Sequence, residues 1–202
     1  MATLRIDLDK ARVRPSNSKI FFTYTDIARL PEWPEGPLIE IINGDLYMTP
    51  SPTPEHQTIS MNLIRRLDPI VHANNLGKIL TAPIDLYLSE DNYVIPDIIF
   101  VSESNKDVDY GRHIRGVPDL IIEIVSSNRK LDYVDRKVLY EKYKVKEYWI
   151  VDKKEGQILV YILKEGEYLS PIRYAVDDTL TSNLEELKNL KISVAQVFAG
   201  LD

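Results

Sequence analysis

The sequence predicts an α/β (α+β) domain around a mixed central sheet, and three observations predict it. β-rich runs recur through the chain, from LIEII at 38–42 to QILVYIL at 157–163. Two helical patterns interrupt them, one opening at Thr53 and one at Asp132. The resulting order is hairpin, helix, three strands, helix, strands, the arrangement expected when helices cover a sheet.

Near the N-terminus, Thr25 suits the N-cap of a short helix that Pro31 and Pro34 end. LIEIINGDLYMT then reads as two β-runs around Asn43-Gly44, the signature of a type I′ hairpin. Thr53 fits an N-cap with Pro54 at the first helical position, and Ile59, Leu63, Leu67 and Ile70 form a helical stripe. Pro69 should bend that helix, and Gly77 lies just beyond its end. KILTAPIDLYLS and NYVIPDIIFVS read as two strands joined through Glu90-Asp91-Asn92. The polar loop ESNKDVDYGRHIRG leads to the strand DLIIEIVSS, and Asp132 can cap a helix running to about Val145. KEYWIVDKKEGQILVYIL is a strand, a turn at Glu155-Gly156 and a second strand. YLSPIRYAV adds another strand, and Ser193 begins a short last helix.

The bulk composition narrows the classes of function. A chain of 202 residues with 44% apolar and 28% charged residues can fill one core, so residues 1–202 are expected to form a single domain. No run approaches the roughly 18 apolar residues of a membrane span, and MATLRIDLDKARVRP has no apolar h-region of a secretory signal. The absence of cysteine excludes disulfides and thiolate chemistry and fits a cytoplasmic protein. The net charge of −6 gives no general attraction to nucleic acid, so any such contact needs a local basic surface. There is no G-x-S-x-G elbow, no phosphate-cradling glycine loop and no H-E-x-x-H pair.

What remains is a set of carboxylates in apolar strands. Glu40 lies in the first hairpin strand, Asp97 in IPDIIF and Glu123 in IIEIV. Strand alternation puts Ile95 and Ile99 on the face of Asp97, and Ile121 and Val125 on the face of Glu123. Carboxylates entering one apolar layer repel unless they share a divalent cation, a cationic side chain or a proton. Oxygen-only ligands favour Mg²⁺ or Mn²⁺. On the helix from Asp132, Lys137 has Tyr133 and Val134 one turn before it and Tyr140 one turn after, so it is expected beside the sheet, within reach of the acids. Basic residues from Arg112 to Lys154, Arg129 and Arg136 among them, are expected at a phosphate-facing rim or on a solvated face. For Glu123 the competing reading is a structural ion pair. For His56 it is a first-turn residue with a backbone partner.

The run IPDIIFVS, VPDLIIEIVSSN and DYVDRKVLYEKYKVKEYWIVD resembles the Uma-two family of restriction-endonuclease-like proteins, in the PD-(D/E)xK nuclease superfamily. The similarity covers most of the chain, a core of about residues 38–164. It implies a restriction-endonuclease-like fold, a mixed sheet flanked by helices, with the N-terminal hairpin and extra C-terminal strands added. It implies that Asp97 and Glu123 hold Mg²⁺ (or Mn²⁺), with the Ile124 carbonyl as a further donor. Val125 stands where the superfamily pattern has lysine, and Lys137 is the residue matched to the basic role, water activation or charge stabilisation. Glu40 matches a recurrent position, implied to complete the metal sphere or to act through a water, and His56 another, bonding Glu40 or touching substrate. Tyr140 is a substrate or supporting residue. The implied activity is metal-dependent hydrolysis of phosphodiester bonds in DNA, with a homodimer as one arrangement. The alternative is a nuclease-fold module that binds without cutting.

Overall fold

The computed structural model describes residues 12–13, 20–28, 38–49 and 51–201. Asn43 and Gly44 both adopt positive φ, 50° and 77°, as a type I′ turn requires. They close the antiparallel hairpin of Leu38–Ile42 with Asp45–Thr49. That hairpin edges a six-stranded sheet continuing through Asn92–Val94, Leu86–Ser89, Ile114–Arg115 and Asp109–Tyr110. A second, seven-stranded sheet has the order Glu167–Tyr168, Gln157–Lys164, Glu147–Asp152, Leu120–Ile124, Ile98–Ser102 and Gly77–Thr81, with Ile172–Ala175 also paired to Gln157–Lys164. It is mixed: Leu120–Ile124 runs parallel to Glu147–Asp152 and antiparallel to Ile98–Ser102.

Among the described residues two large sheets stand where one central sheet was expected, with two further two-stranded pairings besides. KILTAPIDLYLS and NYVIPDIIFVS are each not one strand but two, and each crosses from one sheet to the other. The breaks fall at Pro83 and Pro96, which lack the amide hydrogen a ladder needs. Asp97 therefore sits at a junction rather than inside a strand. The loop ESNKDVDYGRHIRG also contributes two short strands to the six-stranded sheet.

Both faces of the seven-stranded sheet are covered. On one, Ile98, Phe100, Leu120, Ile122 and Ile124 pack with the long-helix stripe Ile59, Leu63, Leu67 and Val71 and with C-terminal apolar residues such as Leu187 and Val197. On the other, Ile99, Val101, Ile121 and Val125 pack with Leu139 and Tyr140 and with Leu86 and Val94 of the six-stranded sheet.

The long helix spans Pro54–Ala73, with Thr53 as N-cap accepting the His56 amide and Pro54 in the first turn. Pro69 lies inside it without ending it. Asn75, at φ 49°, turns the chain out of the helix ahead of Gly77. The first helix, Tyr24–Ala28, starts ahead of Thr25. Its cap is Thr23, whose amide and hydroxyl both donate to Asp26 Oδ2. Pro31 and Pro34 lie outside the described residues. The helix expected from Asp132 instead begins with a π turn, Leu131–Asp135, closed by the Arg136 amide on the Leu131 carbonyl, and continues as an α-helix over Arg136–Lys142. Asp132 is buried within this turn rather than capping it. The last helix, Val194–Val197, follows Ser193 as expected.

Asp119 ties strand ends together. Its Oδ2 accepts the Ser102 amide at 2.8 Å and Asn105 Nδ2 at 3.1 Å, and its Oδ1 accepts Lys146 Nζ at 2.6 Å. Burial alone would raise its pKa, but the Lys146 ammonium, the Ser102 amide and Asn105 outweigh burial and hold the carboxyl below the usual aspartate value. A depressed folded-state pKa gives stability that is present above the unfolded pKa, near 3.9, and lost as pH falls through the folded value. Asp119→Asn should therefore cost about 1–3 kcal/mol at pH 7. Urea titrations repeated toward pH 3 should show the gap to the unaltered protein closing; a constant gap would contradict the assignment.

Candidate active site

The site forms where the chain crosses between the two sheets. Glu40 pairs across the hairpin with Tyr47, and its Oε1 accepts the Ile95 amide at 2.9 Å. Asp97 follows Pro96 and lies just before Ile98, the last residue of its strand to pair with Leu120–Ile124. One step further, the Asp97 carboxylate takes over the ladder, with Oδ2 accepting the Ile124 amide at 2.8 Å. The same oxygen lies 3.2 Å from His56 Nε2. Asp97 Oδ1 meets no donor among the described residues, in a side chain 16% exposed to the cleft.

Glu123 is buried on the face it shares with Ile121 and Val125. The Tyr140 hydroxyl donates to its Oε1 at 2.6 Å and Arg136 Nη1 to its Oε2 at 3.3 Å. Arg136 also donates through Nη2 to both oxygens of Glu40, at 2.9 and 2.7 Å, and through Nη1 to Asp132 Oδ1 at 2.8 Å. Asp132 is fixed in turn by the Ser126 amide and hydroxyl. Three carboxyl groups thus gather around one guanidinium. Burial raises the Glu123 pKa well above the usual glutamate value, and repulsion from Asp97 and Glu40 adds to the shift against the opposing Arg136 and Tyr140. Burial works against the charge of Arg136, but Glu123, Glu40 and Asp132 outweigh it and the guanidinium stays cationic.

The structure brings Glu40, Asp97, Glu123, His56 and Tyr140 together. It does not bring Lys137, whose ammonium lies 5.5 Å over the ring of Tyr161, two strands across the sheet from Glu123. Arg136 takes that place, buried rather than on the expected rim. The signal for it was in the sequence: Asp132, Arg136 and Tyr140 recur every four residues and share one helix face. His56 bonds Asp97, not Glu40, and its Nδ1 is buried with no partner among the described residues.

Glu40, His56, Asp97 and Arg136 floor a cleft of about 690 Å³, with Glu123 and Tyr140 buried behind them. The loop after the Glu123 strand supplies Ser127, Asn128 and Arg129 to its lining, and the turn after the neighbouring strand supplies Lys153 and Lys154. Arg129 pairs with Asp152 at 2.7 Å, and Lys153 with Glu55. Among the described residues no helix is long and apolar enough to cross a membrane.

A mixed sheet clad by helices on both faces, with acids gathered where the chain crosses between sheets, has the restriction-endonuclease-like architecture. The sequence matches the Uma2 model, described as "Putative restriction endonuclease", over residues 25–195, and the chain belongs to that family. A similar fold occurs in a crystal structure described as a "putative nuclease belonging to DUF820" from Anabaena variabilis ATCC 29413. That likeness has a TM-score of 0.72 at 19% identity and covers 88% of this chain and 98% of that one. A cryoEM structure of a DrdV–DNA complex shares 14% identity over 57% of this chain and 12% of that one, and its TM-score of 0.31 is too slight to bear on the fold. No curated protein matches the chain.

Proposed function

We propose that this protein is a divalent-metal-dependent nuclease that hydrolyses phosphodiester bonds in DNA. The observation that carries this reading is Asp97: one oxygen is fixed by Ile124 and His56, and the other meets no donor among the described residues, at the floor of a cleft and beside buried Glu123. The family's description as a restriction endonuclease points to DNA as the polymer.

The donors fit a hard cation. They are carboxylate oxygens, in excess over the single guanidinium they surround, and the Arg136–Glu123 contact at 3.3 Å is the longest that Arg136 makes to its acids. Among the described residues no three acidic or imidazole side chains form a ready cage. Asp97 and Glu123 would therefore hold Mg²⁺ or Mn²⁺, with water and phosphate oxygens filling the shell, the habit of Mg²⁺. A bound divalent ion would supply Lewis acidity and lower the pKa of a coordinated water. His56 fixes the orientation of Asp97, and Tyr140 that of Glu123. Arg136, held by Glu40 and Asp132, would offer fixed positive charge to the phosphate as negative charge develops. Arg136 cannot accept a proton, so the attacking water would pass its proton to solvent in the cleft.

One observation favours the second reading, a module that binds nucleic acid without cutting it: Arg136 already bonds both Glu40 and Glu123. The two separate by experiment. At ten times its Kd, a cation bound only to the folded state adds about 1.4 kcal/mol, or about 3–6 °C in melting temperature for a chain of this size. Asp97→Asn should erase that increment and Glu165→Gln should keep it. Melting that ignores Mg²⁺ and Mn²⁺, with no cleavage of any DNA, would leave the binding module.

A further inference from the structure

Resting on the nuclease reading, we propose that the cleft takes an unpaired DNA strand, with one nucleobase seated between Met61 of the long helix and Tyr47 of the hairpin while its phosphate reaches Asp97. The long helix has two stripes. Ile59, Leu63, Leu67 and Val71 enter the core, whereas His56, Gln57, Ser60, Met61 and Ile64, also spaced by one to four residues, line the cleft. Met61 is 47% exposed there although apolar. Across the cleft, Leu38 and Tyr47 share the hairpin face of Glu40.

Apolar walls above an acidic floor suit a ligand with an uncharged flat part and an anionic part side by side. A nucleotide in an opened strand is such a ligand: the base packs on apolar or aromatic surface while its phosphate meets cations. The cations stand at the rim, where Arg129, Lys153 and Lys154 border the same cleft. Size points the same way. About 690 Å³ lies within the roughly 300–1,000 Å³ of pockets that enclose small ligands. The bases of a stacked duplex cannot enter such a space without leaving the stack. The 1% exposure of Glu123 puts the chemistry below the reach of an undistorted duplex backbone.

The test uses the full chain with Mn²⁺ and one labelled oligonucleotide, offered single-stranded and as a blunt duplex. The single strand should be cut with a kcat/KM at least about tenfold higher. Met61→Ala should raise KM for the single strand about five- to tenfold, with kcat within about twofold, the scale of losing one base contact. Met61 is half exposed, so the variant should fold, and Tyr47→Leu gives a second reading of the same seat. Equal cutting of both forms, or an unchanged KM in both variants, overturns the proposal. Fluorescence anisotropy with Glu123→Gln keeps the test independent of catalysis. If the unaltered chain cuts nothing yet Glu123→Gln binds single strands over duplex and Met61→Ala weakens that binding, the nuclease reading fails and the cleft assignment stands. Equal binding of both forms, or an oligomeric state that shifts with Met61→Ala, assigns the walls to something else and overturns it.

Discussion

Arg136→Met should destabilise the folded protein by about 3–5 kcal/mol at neutral pH, the cost of stranding buried charges by removing their partner. For a chain of this size that is about 6–20 °C in melting temperature. Arg136 is buried, and its guanidinium is the cation that contacts Glu40, Glu123 and Asp132 together. Methionine fills similar volume, so the loss reads the charge network rather than a cavity. The effect should not add with its neighbours: Glu40→Gln combined with Arg136→Met should recover part of the loss, because the double variant strands one carboxylate fewer. Denaturant melts of the two single variants and the double variant form the cycle. A single-variant loss below about 1 kcal/mol would mean the network is not held as described.

Asp97→Asn and Glu123→Gln should each lower the rate of DNA cleavage by at least about 10³-fold, or about 4 kcal/mol of barrier. Both substitutions keep shape and remove charge, so single-turnover assays with Mn²⁺ read chemistry rather than folding. His56→Ala should cost less, about 10–100-fold, the range for a residue that orients a ligand from behind. Lys137→Ala separates the two assignments of the cation. A loss as large as that of Asp97→Asn would return the role to Lys137, whereas a small one agrees with its position over Tyr161.

The fold was legible where local chemistry decides it. Asn43-Gly44 made the hairpin, Thr53-Pro54 opened the long helix and Ser193 preceded the last one. The acids stood out because a carboxylate between β-branched residues has few other uses. The division into two sheets was not legible. Pro83 and Pro96 mark breaks, but which sheet each fragment joins depends on partners far along the chain. The π turn was equally hidden, since one extra residue in a turn leaves no compositional trace, and Arg136 looked like any exposed base on a mixed helix. His56 was visible as a candidate, but its partner depended on how the long helix seats against the junction before Ile98.

Arg136 also acts as a tie beam. One prong grips Glu40 in the six-stranded sheet and the other reaches Glu123 in the seven-stranded one. The seam of the architecture and the spacing of the buried acids therefore share one fastening. A mutation that lets the halves slide apart would alter the separation of the acids even if it lay far from the cleft, so here mechanical looseness and chemical competence cannot drift independently.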